Sequence, residues 1–299
     1  MTADKCSDFN WSRVAIGTVQ FGLRYGVANK SGMVSKETAK KILQEAFSYG
    51  VKTLDTAISY GISEKILGEI DIKPWQVISK LPRVPDTVED IPGHILQKVE
   101  GSLTRLNIQY LDVLLMHDPS QLLENSGPII YKTLCEMKRQ GLVKNIGISI
   151  YDPQDLDLLI KGRDFNIIQG PLNIFDQRIL TSKWLDELDK RNIAFHARSI
   201  FLQGLLLMKD RPPFFEKWSK LFESWSLWLS EEGLTPLEGA LYLVIVNPAI
   251  KKIILGLDCL EQLKQIKLAI DKIEKLNLHP PQFNIQDPLL LNPGKWNLS

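Results

Sequence analysis

The chain has 299 residues, is 44% hydrophobic and 24% charged, and carries a net charge of +1. That composition is ordinary for a globular protein, and the length suits two average domains or one α/β barrel. The near-zero charge supplies no broad basic field, so nucleic acid is not expected as a partner.

In chain order, apolar runs alternate with amphipathic ones. "RVAIGTVQFG" reads as a strand. "SKETAKKILQEAFSYG" reads as a helix, with Ser35 placed to cap it, Ile42, Ala46 and Phe47 on one face, and Gly50 at its end. "VKTLDTA" is a second strand, followed by the short helix "SEKILGEI". "WQVISKL" is a third strand, and "DIPGHILQKVEGSLTRLN" carries Ile95, Leu96, Val99, Leu103 and Leu106 at helical spacing. "YLDVLLMH", "VKNIGISI", "FNIIQGPL" and "NIAFHARSI" follow as strands. Between them lie the helical segments "PIIYKTLCEMKRQG", "DPQDLDLLIKG" and "SKWLDELDKR". An aromatic-rich insertion and the helical "PLEGALYLVIV" precede an eighth strand, "KKIILGL", and a closing helix, "LEQLKQIKLAIDKIEKL".

Strands alternating with helices predict parallel βαβ units. Eight such units favour a closed (β/α)8 TIM barrel in a single domain over residues 1–299. No GxGxxG follows the first strand, which counts against a doubly wound dinucleotide fold. The three cysteines, Cys6, Cys135 and Cys259, are odd in number and widely spaced, so a reduced, cytoplasmic compartment is expected. With no CxxC and no HExxH spacing among four histidines, no metal is expected. "MTADKCSDFN" lacks the apolar core of a signal peptide, and "ALYLVIVNPAI" is too short to span a bilayer, so no membrane association is expected.

In such a barrel, functional side chains gather at the C-terminal strand ends. Those ends offer Gly17 and Thr18, Asp55 and Tyr60, Lys80, His117, Ser149, Gln169, and Arg198 with Ser199. Four of them form a chemical set. A free tyrosine titrates near ~10 and is a weak proton donor at neutral pH, whereas a nearby lysine cation favours its phenolate. An aspartate beside the lysine offsets the cost of burying it. A histidine in the same pocket can hydrogen-bond and orient a substrate oxygen. Asp55, Tyr60, Lys80 and His117 thus suit reduction of a carbonyl, or the reverse oxidation, with hydride from a nicotinamide cofactor. Taken singly, each has a structural reading: a turn former, a loop aromatic, a solvated lysine, a turn histidine.

Over nearly its whole length the chain resembles the aldo-keto reductases. The matching pieces are "IGTVQFG", "TLDTAISYG" with the following Ser63-Glu64 and Leu67-Gly68, "VISKL", "DVLLMHDP", "IGIS", "QGPLNIFDQR" and "FLQGLLL". The resemblance implies a (β/α)8 barrel binding NADP(H) or NAD(H) at its C-terminal face, with the preference open, and a small carbonyl or sugar substrate. It assigns Tyr60 as general acid/base, Lys80 and Asp55 as its tuning partners, and His117 as the carbonyl-orienting group. It also assigns Ser149 and Gln169 to the nicotinamide carboxamide, with Ile150 standing where the family has Asn. Gln169 has a second reading, as a hydrogen-bonding residue of the barrel interior. Arg198 occupies the place of an aromatic residue that stacks on the nicotinamide. A guanidinium can stack too, or bind an anionic substrate or the cofactor pyrophosphate. Thr18, Ser199, Gln203 and Gly204 would flank the cofactor, Gly204 permitting close backbone approach. Gly256, Asp258 and Gln262 in "ILGLDCLEQLKQI" would meet the adenosine end. There Asp258 either favours NADH by repelling the NADPH phosphate or simply caps the next helix.

The aromatics Phe214, Phe215, Trp218, Phe222, Trp225 and Trp228 form either a lid or the packed face of an extra helix. Arg178 and Arg198 suggest a charged or hydroxyl-rich substrate. A cofactor-sensing subunit of the same fold with little turnover is the alternative to an enzyme. A lyase using Lys80 as a Schiff base is disfavoured, because Asp55 would keep that lysine charged. A monomer or weak oligomer is expected.

Overall fold

The computed structural model describes residues 9–298, so Cys6 lies outside the described residues. Eight parallel strands close into a barrel in sequence order, β1 pairing with β8. They are β1 (Val14–Gly17), β2 (Thr53–Asp55), β3 (Gln76–Leu81), β4 (Leu111–Met116), β5 (Val143–Ser149), β6 (Ile167–Pro171), β7 (Ala194–Arg198) and β8 (Ile250–Gly256). The helices are α1 (Lys36–Ser48), α2 (Ser63–Ile70), α3 (Ile91–Leu106), α4 (Gly127–Arg139), α5 (Leu156–Leu159), α6 (Arg178–Thr181), α7 (Trp184–Lys190), α8 (Ser219–Glu231), α9 (Pro236–Ile245), α10 (Leu260–Ile273) and α11 (Pro288–Leu291).

The strands are nearly continuous apolar runs because a parallel barrel strand is buried on both faces. The helices follow their caps. Ser35 accepts a hydrogen bond from the Thr38 amide, as expected, and α1 buries Ile42, Leu43 and Ala46. Thr235 and Glu238 close a reciprocal capping box at the start of α9. Several expected elements are shorter than their sequence patterns, the second strand among them at three residues, and two have a clear local cause. The first strand stops at Gly17, and Val19–Phe21 turns as a 3-10 helix. In "DPQDLDLLIKG" a 3-10 turn, Pro153–Asp155, leaves only Leu156–Leu159 as α-helix, and Gly162 at φ 69° ends the segment.

Alternation along each strand sorts side chains into two sets. Most of the outward ones join the helices in the main core. Ile78, Val113, Leu115 and Ile167 form a separate small cluster. Each shares a strand face with an inward residue such as Lys80 or Gln169, so this cluster fills the barrel interior beneath the site. At its lower end Lys252 Nζ reaches the Thr53 hydroxyl at 2.9 Å and the Ser12 carbonyl at 2.7 Å.

The aromatic-rich insertion is packed, not a lid. Phe215, Phe222, Trp225 and Trp228 are buried, and Trp225 and Trp228 stack at 5.4 Å. None of the six aromatics lines the cavity at the barrel mouth. No helix among the described residues is long and apolar enough to cross a membrane.

Candidate active site

The C-terminal ends of the strands open into a cavity of about 610 Å3. Register aligns its floor: Gly17 is level with Asp55 on one side and Gly256 on the other. Lys80 is only 1% exposed and Asp55 3%. Lys80 Nζ donates to Asp55 Oδ1 at 2.5 Å and to the Thr56 carbonyl at 2.8 Å. Burial pushes the ammonium towards its neutral form, but the Asp55 carboxylate and Tyr60 outweigh it, and Lys80 titrates above its ordinary range. Lys80 is therefore a fixed cation, 5.1 Å from the centre of the Tyr60 ring.

Tyr60 stands edge-on to His117, with 5.9 Å between ring centres. Burial, with the charges of Lys80 and Arg198, depresses the His117 pKa to about 4. The imidazole is neutral at pH 7, and its Nδ1 meets the Ser59 hydroxyl at 3.2 Å. The loop carrying Tyr60 is held from both sides. A Cβ on Gly22 would collide with the Tyr60 carbonyl and the Ser63 amide, so backbone packs directly on backbone there. Behind it, α2 is anchored by the buried Glu64 carboxylate. Glu64 accepts from Ser79 at 2.8 Å, Ser102 at 2.6 Å and Arg105 at 2.7 Å.

Thr18, Ser149, Arg198, Ser199, Gln203, Gly204, Gly256, Asp258 and Gln262 all line the same cavity as Asp55, Tyr60, Lys80 and His117. Gln169 does not. It sits in the barrel interior and donates from Nε2 to Asp55 Oδ2 at 2.7 Å. Its Nε2 fits the interior reading, as a brace for the Asp55–Lys80 pair, while its Oε1 is buried without a partner. Ile150 is buried, and its carbonyl accepts from Arg198 Nη2 at 2.9 Å.

The far end of the cavity differs from expectation in detail. Asp258 does not cap α10: the N-cap is Cys259, with no side-chain cap bond. Instead Asp258 Oδ1 accepts from Asn29 at 3.1 Å, and its own amide donates to Gln262 Oε1 at 2.7 Å. Burial raises its pKa. Gly204 does allow a close approach, but to the chain itself: a Cβ there would lie 2.6 Å from the Ala28 Cβ. Gln203 Nε2 donates to the Tyr25 hydroxyl at 3.1 Å. The segment from Tyr25 to Asn29 thus straps across the cavity, tied to the loops after β7 and β8. Sequence reasoning passed over Tyr25, Asn29, Ser59 and Gln20. The "GLRYGVANK" stretch has no periodicity to expose it. Arg178 is spent elsewhere, pairing with Asp176 at 2.8 Å and Asp152 at 2.6 Å outside the cavity lining.

Among the described residues no group of three or more His, Cys, Asp or Glu is placed to hold a metal. The donor set does suit a dinucleotide. Hydroxyls and amides are spread through the lining among apolar groups such as Leu207, Leu237 and Ile254. The Gln20 Oε1 is buried in the lining without a partner, and a Cβ on Gly256 would sit 2.6 Å from the Gln20 amide. An eight-stranded parallel barrel with a buried Asp–Lys pair under a tyrosine and a neutral histidine defines a class of oxidoreductase site. The family model of the aldo/keto reductase family matches residues 13–283, and the chain belongs to that family. Its members are oxidoreductases that generally reduce carbonyls with NAD(P)H. The chain is 25% identical to an uncharacterized oxidoreductase, YqkF, of Bacillus subtilis (strain 168), covering 92% of this chain and 95% of that one. It is 27% identical to the NADH-specific methylglyoxal reductase of Escherichia coli (strain K12), covering 67% of each. The fold matches the holo form of the aldo-keto reductase AKR11C1 from Bacillus halodurans with a TM-score of 0.69, at 19% identity and 86% coverage of each chain.

Proposed function

We propose that this protein interconverts a small carbonyl and its alcohol, with Tyr60 moving the proton and NADH preferred over NADPH. The observation that carries the reading is the buried Lys80–Asp55 pair beside Tyr60, next to an imidazole held neutral. When bound, the nicotinamide supplies the hydride for reduction or takes it up in reverse. Tyr60 gives its phenolic proton to the developing alkoxide oxygen. Lys80 stabilises the phenolate that remains, Asp55 keeps Lys80 charged, and Gln169 holds Asp55 in place. With the Ser59 hydroxyl donating to His117 Nδ1, the Nε2–H of His117 donates to the same substrate oxygen.

Thr18, Ser149, Ser199, Gln203, Gly256 and Gln262 are the cofactor-holding residues of this reading. The preference for NADH rests on Asp258. Its carboxylate lies in the lining, and the residues lining that end with it, Gln262, Gln265 and Ile266, include no Lys or Arg. An extra phosphate there meets a negative charge and no cation. The NADH-specific relative from Escherichia coli is consistent with this preference. A reduced, cytoplasmic setting agrees with the free Cys135 and Cys259. Titrating the protein with NADH and NADPH by nicotinamide fluorescence, then assaying a carbonyl panel that includes keto-sugars, tests the reading. Tighter binding of NADPH would remove the cofactor preference, and no turnover across the panel would remove the reductase.

A further inference from the structure

We propose that Arg198 binds the carboxylate of an oxo-acid or sugar-acid substrate; this rests on the reductase reading above. Arg198 lies at the end of β7 and lines the cavity. An arginine has five N–H donors. Arg13, below the barrel, directs its donors to the carbonyls of Val244, Ile245, Asn247 and Ile250, and is structural. Arg178 is neutralised by two carboxylates. Arg198 has neither fate. Its hydrogen bonds go to the Ser199 hydroxyl at 3.1 Å and the Ile150 carbonyl at 2.9 Å. Among the described residues no carboxylate lies within ion-pair distance of it. The remaining N–H groups and the whole charge are left for a ligand.

The guanidinium is also pre-positioned. It stacks on the Tyr151 ring at 4.5 Å, and the Tyr151 carbonyl is itself held by Arg178 at 2.8 Å. A planar fork fixed in advance loses little freedom on pairing with a planar carboxylate.

Its place is the reacting end of the cavity rather than the adenosine end, and its partner Ser199 is one of the cofactor-holding residues named above. From β7 the side chain leans over β6 to the loop after β5, away from β8 and Asp258. Its charge acts on Lys80 and His117, favouring the deprotonated form of each. It therefore belongs to the end of the cavity where the carbonyl reacts. The charge balance selects the anion. Asp55 already neutralises Lys80, so this end offers one free positive charge, matching a carboxylate better than a phosphate dianion.

The test compares matched carbonyls in the full chain: succinic semialdehyde against butanal, glucuronate against glucose, and glyceraldehyde 3-phosphate as the phosphate arm. We expect wild type to favour the carboxylate member of each pair. Arg198→Met should lower the carboxylate-to-neutral ratio of kcat/KM about a hundredfold, the loss typical of a charge-assisted pair, and Arg198→Lys should restore part of it. Three outcomes overturn the proposal: an unchanged ratio; a preference for the phosphate arm; or cofactor affinity falling tenfold while both members of a pair decline together, which would assign Arg198 to the cofactor. If wild type turns over no carbonyl, the reductase reading fails by itself. Calorimetric titration of the cofactor-loaded protein with succinate then decides the anion site. Binding lost in Arg198→Met upholds it, and no binding to wild type refutes it.

Discussion

Replacing Asp55 by Asn changes one atom type at the centre of the site. The carboxylate accepts from Lys80 on one oxygen and from Gln169 on the other. Asn keeps the shape, and Gln169 can rotate its amide to accept from the new NH2 group. Lys80, however, stays 1% exposed and loses its counter-charge. Breaking a buried pair this way costs about 3–5 kcal/mol. At roughly 2–3 °C per kcal/mol for a chain of this size, Tm should fall by about 6–15 °C. The ammonium relieves the cost by shedding its proton, and Tyr60 then loses a cation 5.1 Å from its ring. At an effective dielectric near 20 that loss is worth about 3 kcal/mol, or roughly a hundredfold in kcat. The double variant Asp55→Asn/Lys80→Met removes the stranded charge as well. It should regain several degrees of Tm but no activity, since neutralising a whole buried pair is often close to neutral for stability. Thermal unfolding and steady-state kinetics on the wild type and both variants make the comparison. A single variant with kcat within threefold of wild type, or a double variant that regains activity together with Tm, would show that the Lys80 charge does not act on Tyr60.

The other predictions concern the rest of the barrel. His196 is buried without a partner at Nδ1, and burial followed by the charges of Lys252 and Lys80 depresses its pKa to about 3. As pH falls below ~6.5 the unfolded chain takes up protons that folded His196 and His117 refuse. Stability should therefore drop by up to about 1.4 kcal/mol per pH unit for each histidine, down to roughly pH 4. Urea titrations between pH 7 and 5 should show this slope, reduced in His196→Gln; a flat profile in wild type would contradict it. Asp258→Asn keeps the Asn29 contact but removes the charge, and should move relative affinity toward NADPH by about tenfold, read by fluorescence titration. Gly22→Ala forces apart the backbones of the first and second strand loops. It should reduce kcat/KM at least tenfold, an effect of misplacing Tyr60 by a fraction of an ångström, while far-UV circular dichroism stays that of a folded barrel.

The barrel was legible because it is built from local signals. Buried parallel strands leave unbroken apolar runs, and eight of these in alternation with amphipathic segments admit few folds. The strand ends followed, so Asp55, Lys80 and His117 could be gathered at one mouth before any contact was known. What the sequence concealed depends on pairing at a distance. The Gln169 amide could face the cavity or Asp55, and only the barrel interior decides. Asn29 and Asp258 are 229 residues apart, so no local pattern announces that a strap from the first loop ends on the last. Arg178 and Arg198 look alike in sequence. Asp152 and Asp176 neutralise one and leave the other open to the cavity. The short helix α5 is a milder case. "DPQDLDLLIKG" has the composition of a helix, but Pro153 and Gly162 confine it to little more than one turn.

Replacement of Tyr60 by Phe removes the one hydroxyl assigned to move the proton. Wild type and variant are titrated with NADH, then assayed against the carbonyl panel by loss of nicotinamide absorbance. The NADH Kd should stay within about twofold of wild type and kcat should fall by about 10²–10⁴, the range of a lost general acid. A variant that still reduces carbonyls at near the wild-type rate would contradict that assignment. So would a wild type that binds NADH and reduces nothing, which is the behaviour of a cofactor sensor.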